Sequence, residues 1–245
     1  MRLGILEPGV TPDDLIDTHG TMPAMAERLL APLDPSLRFA TWRVVDDVFP
    51  ASVRDADAWL VMGSKHGVYE DLPWMRRLKG FLRDAVAAEV PVVGICFGHQ
   101  ILAEAMGGRV EKSARGWGVG IHRYALPDAA GGGELAVHAM HQDQVVEPPP
   151  GAALIATSDF CPYAGFDYAG RAISFQPHPE FDEAFARALV ETRRGDAIPL
   201  DVADAALATF GRGTDAVRLA RWILDFLRTR PLVERSQLPN VGGTS

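Results

Sequence analysis

Several things are scarce in this chain. Of its 245 residues only two are cysteine, Cys96 and Cys161. Two are too few for a disulfide framework or an all-cysteine zinc site. Only three are lysine (Lys65, Lys79, Lys112), and the 24 basic residues are outnumbered by 32 acidic ones, a net charge of −8. A general nucleic-acid binder needs a basic face, so that class is excluded. No apolar run reaches the ~20 residues of a membrane-spanning helix. The best candidate, residues 90–103, contains His99 and Gln100. Residues 1–10 carry Arg2 and Glu7 with no long apolar stretch behind them, so no secretory signal is expected. Neither HExxH nor clustered carboxylates suggest a metal, and His138 and His141, three apart near a strand end, make a poor ligand pair. Gly131-Gly132-Gly133 lacks a following Lys-Ser/Thr, so it reads as a hairpin turn rather than a nucleotide loop. These absences lead us to expect a cytoplasmic protein with no cofactor and with thiols judged one at a time.

What is present is ordinary globular composition, 47% hydrophobic and 23% charged. Strands are expected at residues 1–7, 37–45, 56–62 and 90–95, with 11–20 as a polar loop. Helices are expected at residues 21–30 and 72–88, and from Cys96 to the stop at Gly107-Gly108. The run 90–95 is apolar throughout, as in a strand covered on both faces. This layout predicts an α/β fold with a central, mostly parallel sheet flanked by helices. Further short strands are expected at 110–113, 118–124, 135–139, 153–157, 164–168 and 172–176, separated by turn signals, which adds a short antiparallel region. Helices return at 181–194, 201–210 and 215–228, with Trp222, Leu224 and Phe226 as core or interface residues and 231–245 as a loose tail.

Three stretches carry chemistry. In Gly94-Ile95-Cys96-Phe97-Gly98-His99-Gln100 a cysteine ends a buried strand and starts a helix. That is the geometry of a nucleophile elbow, so tight that side chains at Gly94 and Gly98 would collide. The helix N-terminus favours a thiolate there. In Gln176-Pro177-His178-Pro179-Glu180 a base is followed two positions on by a carboxylate. In extended chain those side chains point the same way, so Glu180 can orient His178 while the other ring nitrogen faces Cys96. A lone HxE would be an ordinary surface turn; beside the elbow it is specific. The third stretch, from Met62 to Tyr69, leaves the C-terminal end of an expected parallel strand, where open α/β sheets place their sites. A backbone N–H there could pair with that of Phe97 as an oxyanion hole. Cys161 reads as structural.

These motifs resemble the class I, triad-type glutamine amidotransferases, closest to stand-alone proteins similar to the amidotransferase domain of GMP synthase. The resemblance spans roughly residues 1–195, with 196–245 a C-terminal helical extension and tail of the same domain. It also includes Gly116-Trp117-Gly118 and His141-Gln142-Asp143-Gln144-Val145. It implies flavodoxin-like layers, Cys96 as nucleophile, His178 as base and then acid, and Glu180 as its orienting partner. The backbone N–H groups of Ser64 and Phe97 would be the oxyanion donors. Gly63, Gln100, Met140, His141, Gln142 and Asp143 would line the substrate site. Where the family often has Gly-Gly-Pro, this chain has Gly63-Ser64-Lys65. A serine forced to positive φ would be strained and the donor misplaced.

Three functions follow. The first is an amidotransferase component that releases ammonia from glutamine for a separate synthase partner. The second is a self-sufficient hydrolase or peptidase for a γ-glutamyl amide, peptide or conjugate. The third is a non-catalytic module, which would have no need of all three triad residues.

Overall fold

The computed structural model describes residues 1–229. Its strands are β1 (Arg2–Leu6), β2 (Arg38–Trp42), β3 (Ala58–Val61), β4 (Val92–Ile95), β5 (Arg109–Lys112), β6 (Gly118–Ala125), β7 (Glu134–His141), β8 (Asp143–Glu147), β9 (Ala153–Ala156), β10 (Gly165–Asp167) and β11 (Ala172–Phe175). Its helices are α1 (Asp13–His19), α2 (Met22–Leu30), α3 (Pro73–Ala87), α4 (Phe97–Ala105), α5 (Glu183–Arg193), α6 (Leu200–Leu207) and α7 (Ala216–Arg228). Seven strands form one sheet in the order β2-β1-β3-β4-β11-β10-β9. The first five in that order run parallel, and β10 and β9 add an antiparallel edge. The pairs β5-β8 and β6-β7 form two small antiparallel sheets. The mostly parallel α/β expectation is met.

Alternation along the strands separates two cores. Leu60 and Val93 face α2, α7 and the β6-β7 hairpin, among Ala26, Tyr124, Leu219 and Ile223. Trp59, Val61 and Val92 face α3 and α4, among Leu78, Leu82 and Ile101. The expected helix at 215–228 is therefore part of the sheet's cover, with Leu224 buried and Trp222 edge-on to Phe175. The tail at 231–245 lies outside the described residues.

Two expectations needed correction. Residues 11–20 are not a loop: Asp13–His19 is helical. Asp13 and Asp14 sit in the first turn, where carboxylates suit the positive helix end, and Leu15 is buried against the face of α5. The other omission is β8, which pairs with β5 and buries Val145.

Register matters most for the site. Ile95 of β4 lies beside Phe175 of β11, and Val61 of β3 beside Gly94. Adjacent parallel strands end together, so Cys96, His178 and the loop from Met62 emerge at one edge. The Cys96 N–H donates to the Phe175 carbonyl at 2.9 Å, which locks the two strand ends.

Candidate active site

Cys96 caps the N-terminus of α4 with φ +53° and ψ −105°, a strained conformation for a residue with a Cβ. The strain follows from the tightness of the turn. A Cβ on Gly94 would lie 2.5 Å from the Gly98 carbonyl oxygen, and one on Gly98 would lie 2.2 Å from that of Val61. Both collisions are with backbone, so only glycine fits either position. The turn places the sulfur 4.0 Å from the Met140 carbonyl oxygen, with the Gln176 amide nitrogen donating toward it at 3.6 Å.

His178 is fixed on four sides. Its ring nitrogen Nδ1 bonds Glu180 Oε1 at 2.8 Å. Phe181 stacks on its face with centroids 3.9 Å apart and planes 9° apart. Its backbone N–H donates to the His138 carbonyl at 2.8 Å. Gly63 lies against the ring edge, where a Cβ would come within 2.8 Å of Cε1. Burial works against the imidazolium, but the charges of Cys96 and Glu180 and hydrogen bonds with both outweigh it and raise the His178 pKa above the ordinary histidine value. With Nδ1 engaged by Glu180, Nε2 is the nitrogen left for the sulfur.

Ser64 is not among the positive-φ residues, so the expected strain in the Gly63-Ser64-Lys65 loop does not arise; Cys96 carries the unusual φ instead. The Ser64 hydroxyl donates to the Pro8 carbonyl at 2.9 Å and accepts from the His66 N–H at 3.2 Å, which ties the loop to the end of β1. Phe97 is the first residue of α4, so its N–H has no intrahelical carbonyl to bond.

The expected substrate-binding residues divide. Gln100 uses its amide nitrogen internally, to the Asp143 carbonyl at 2.9 Å and to Gln176 Oε1 at 3.2 Å. The Gln142 carbonyl accepts from Ser113. His141 is buried, and its pKa is driven down to about 3 chiefly by burial, so it is a neutral ring facing the Asp143 carbonyl through Nδ1. Asp143 is half-buried; its carboxylate accepts from the Tyr69 hydroxyl at 3.2 Å, and burial raises its pKa. The second thiol, Cys161, is buried, and burial pushes it up to about 12.

Sequence reasoning missed three neighbours of this cluster. Gln176 reaches the sulfur because it directly follows β11, whose last residue lies beside Ile95 of β4, and its place directly before Pro177-His178 was the available signal. His138 pairs with His178 across a short antiparallel bridge, and Phe181 stacks on the ring. Neither had a signal without the topology.

The fold and the cluster at the strand ends define a class of protein, one that carries a cysteine elbow, a histidine and a carboxylate on an open α/β sheet. The chain belongs to the Glutamine amidotransferase class-I family, whose model matches residues 55–188. A glutamine-hydrolyzing GMP synthase component from Halobacterium salinarum is 30% identical over 191 residues, 75% of this chain and 92% of that one. Gamma-glutamyl peptidase 2 of Arabidopsis thaliana is 28% identical over 171 residues, 64% of this chain and 68% of that one. Alignments with the fungal and plant relatives span between 58% and 68% of those proteins' length. The crystal structure of a glutamine amido transferase from Methylobacillus flagellatus superposes with a TM-score of 0.69 at 26% identity, covering 93% of each chain. Among the described residues no helix is long and apolar enough to cross a membrane.

Proposed function

We propose that this chain hydrolyses the γ-glutamyl C–N bond of glutamine through a Cys96 thioester and releases ammonia for a separate synthase partner. The observation that carries the reading is the convergence of Cys96 and the Glu180-bonded His178 just past the ends of the neighbouring strands β4 and β11.

The chemistry follows from that order. His178 Nε2 takes the thiol proton, and an imidazolium beside the sulfur stabilises the thiolate. The sulfur attacks the side-chain amide carbon to give a tetrahedral intermediate. The N–H groups of Phe97 and Ser64 would receive its oxyanion, with the positive end of α4 behind Phe97. His178 returns the proton to the nitrogen, the C–N bond breaks and ammonia leaves. Water then gives a proton to His178 while its oxygen attacks the thioester carbonyl. The C–S bond breaks, glutamate leaves and the thiol is restored. Glu180 keeps the ring in one tautomer throughout and offsets its transient charge.

A second reading is favoured by the plant gamma-glutamyl peptidases among the relatives. The same steps act there on a γ-glutamyl peptide, and an amino acid or peptide leaves instead of ammonia. Purified protein given glutamine and, separately, γ-glutamyl dipeptides separates the two. Slow glutamine turnover that rises with a synthase supports the first, and rapid turnover of dipeptides alone supports the second. No turnover of either, with no labelling of Cys96 by a glutamine-like electrophile, refutes both.

A further inference from the structure

A line of hydrogen bonds runs from the start of β8 to the sulfur, and it begins at a backbone carbonyl. The Asp143 carbonyl accepts from Gln100 Nε2 at 2.9 Å. Gln100 Nε2 also donates to Gln176 Oε1 at 3.2 Å, and Gln176 Nε2 lies 3.6 Å from the Cys96 sulfur. The direction of this line is forced. A carbonyl only accepts, so it must face the NH2 group of Gln100, and the two bonds then use both of that group's hydrogens. Gln176 must turn its oxygen to Gln100, which leaves its own NH2 group for the sulfur. The His141 ring holds the same Asp143 carbonyl through Nδ1 at 3.2 Å. The backbone of Gln176 is fixed as well. Its N–H donates to the Ala164 carbonyl at 2.8 Å, and Pro177 after it favours extended chain.

Gln176, Gln100 and Cys96 are all buried, at 0%, 2% and 4% exposure. In such surroundings an N–H aimed at the sulfur favours its charged form. The Met140 carbonyl oxygen, 4.0 Å from the sulfur, has the opposite effect. His178 does not meet the need alone, because it must give its proton to the leaving nitrogen. We propose that Gln176 is a further catalytic residue, whose side-chain N–H holds the negative charge on the Cys96 sulfur. Gln100 is the positioning residue that fixes the polarity of that amide. The N–H acts twice. It holds the thiolate before attack on the γ-carbonyl. When the thioester is hydrolysed, the C–S bond breaks and its electron pair goes to sulfur. The same N–H then meets that charge before His178 returns the proton. This rests on the Cys96 reading above.

The test uses the full chain with Cys161→Ala, so that iodoacetamide reports on Cys96 alone. Into it go Gln176→Met, which removes the donor, and Gln176→Glu, which keeps the shape but turns a carboxylate oxygen to the sulfur. A hydrogen bond to a charged group is worth roughly 10- to 100-fold in thiolate population. About half of that, on a logarithmic scale, returns as the greater nucleophilicity of a more basic thiolate. In Gln176→Met, alkylation at neutral pH and kcat/KM for glutamine or a γ-glutamyl dipeptide therefore fall by roughly 3- to 10-fold. In Gln176→Glu both fall further, and in each variant the pH profile of alkylation moves to higher pH. Gln100→Met, which frees the amide to turn, moves it less and in the same direction. A purely structural role predicts the reverse order, with the isosteric Gln176→Glu nearest to wild type, and a loss at every pH without movement of the profile. Either result overturns the proposal, as does an unmoved profile in a folded Gln176→Met protein. Should Gln176→Met fail to fold, an unmoved profile in Gln176→Glu overturns it, and should both fail, an unmoved profile in Gln100→Met does. Absence of wild-type turnover and of Cys96 acylation overturns the Cys96 reading as well, whereas normal wild-type turnover with unmoved profiles overturns this proposal alone.

Discussion

Gly63→Ala is the sharpest probe of how tightly the proposed base is held. The added methyl would stand 2.8 Å from His178 Cε1, whereas ordinary contact begins at 3.4 Å. The ring must therefore retreat by about 0.6 Å or more. It has little room to do so, because Phe181 is stacked on it at 3.9 Å and Glu180 grips Nδ1 at 2.8 Å. Gly63 is not among the positive-φ residues, so alanine suits its backbone and the effect falls on the imidazole. A shift approaching 1 Å at a reacting group costs on the order of 100-fold. We expect kcat for glutamine or a γ-glutamyl dipeptide to fall by roughly 30- to 100-fold, about 2–2.7 kcal/mol, with KM little changed. Overpacking should lower stability by only about 1–3 kcal/mol, so a thermal melt still shows a folded protein. The assay is steady-state release of glutamate. Activity within about twofold of wild type in a folded Gly63→Ala protein would refute the claim that this contact sets the position of His178.

Two further predictions concern groups away from the reacting atoms. His99 is fully buried between the Ser174 hydroxyl at 2.8 Å and the Tyr163 carbonyl at 3.0 Å, and burial lowers its pKa to about 4. The unfolded chain takes up this proton first as pH falls below about 6.5, so stability is lost between there and about pH 4, to a total near 3 kcal/mol. Urea unfolding at about pH 7 and about pH 4 should show a pH-dependent loss smaller by about that amount in His99→Gln, and an unchanged loss would show that His99 is not held neutral. Cys161, whose thiol is pushed up to about 12, should resist alkylation at neutral pH, and Cys161→Ala should keep turnover within about twofold of wild type. Loss of turnover in a folded Cys161→Ala protein would make it part of the chemistry.

The central strands were legible because β4 is apolar throughout and the elbow glycines have a steric reason to be there. The pairing of Cys96 with His178 could be anticipated from chemistry, but the strand order that joins them could not. Nothing local in residues 172–175 says that β11 crosses to lie beside β4. Helix α1 was hidden by its polar composition, since its one buried residue is Leu15 and its stabilising contact is with α5, far along the chain. Strand β8 was hidden because Asp143 and Gln144 interrupt its apolar pattern. The concern over Ser64 was a steric argument applied to a φ that the loop does not adopt.

The most direct measurement is rapid acid quench of the protein with glutamine or a γ-glutamyl dipeptide, followed by peptide mass analysis. The account predicts a γ-glutamyl adduct on the peptide that contains Cys96. The adduct should form in wild type and be absent, with turnover abolished, in a folded Cys96→Ala protein. Substrate turnover that persists in Cys96→Ala, or an adduct found on any other residue, would contradict it.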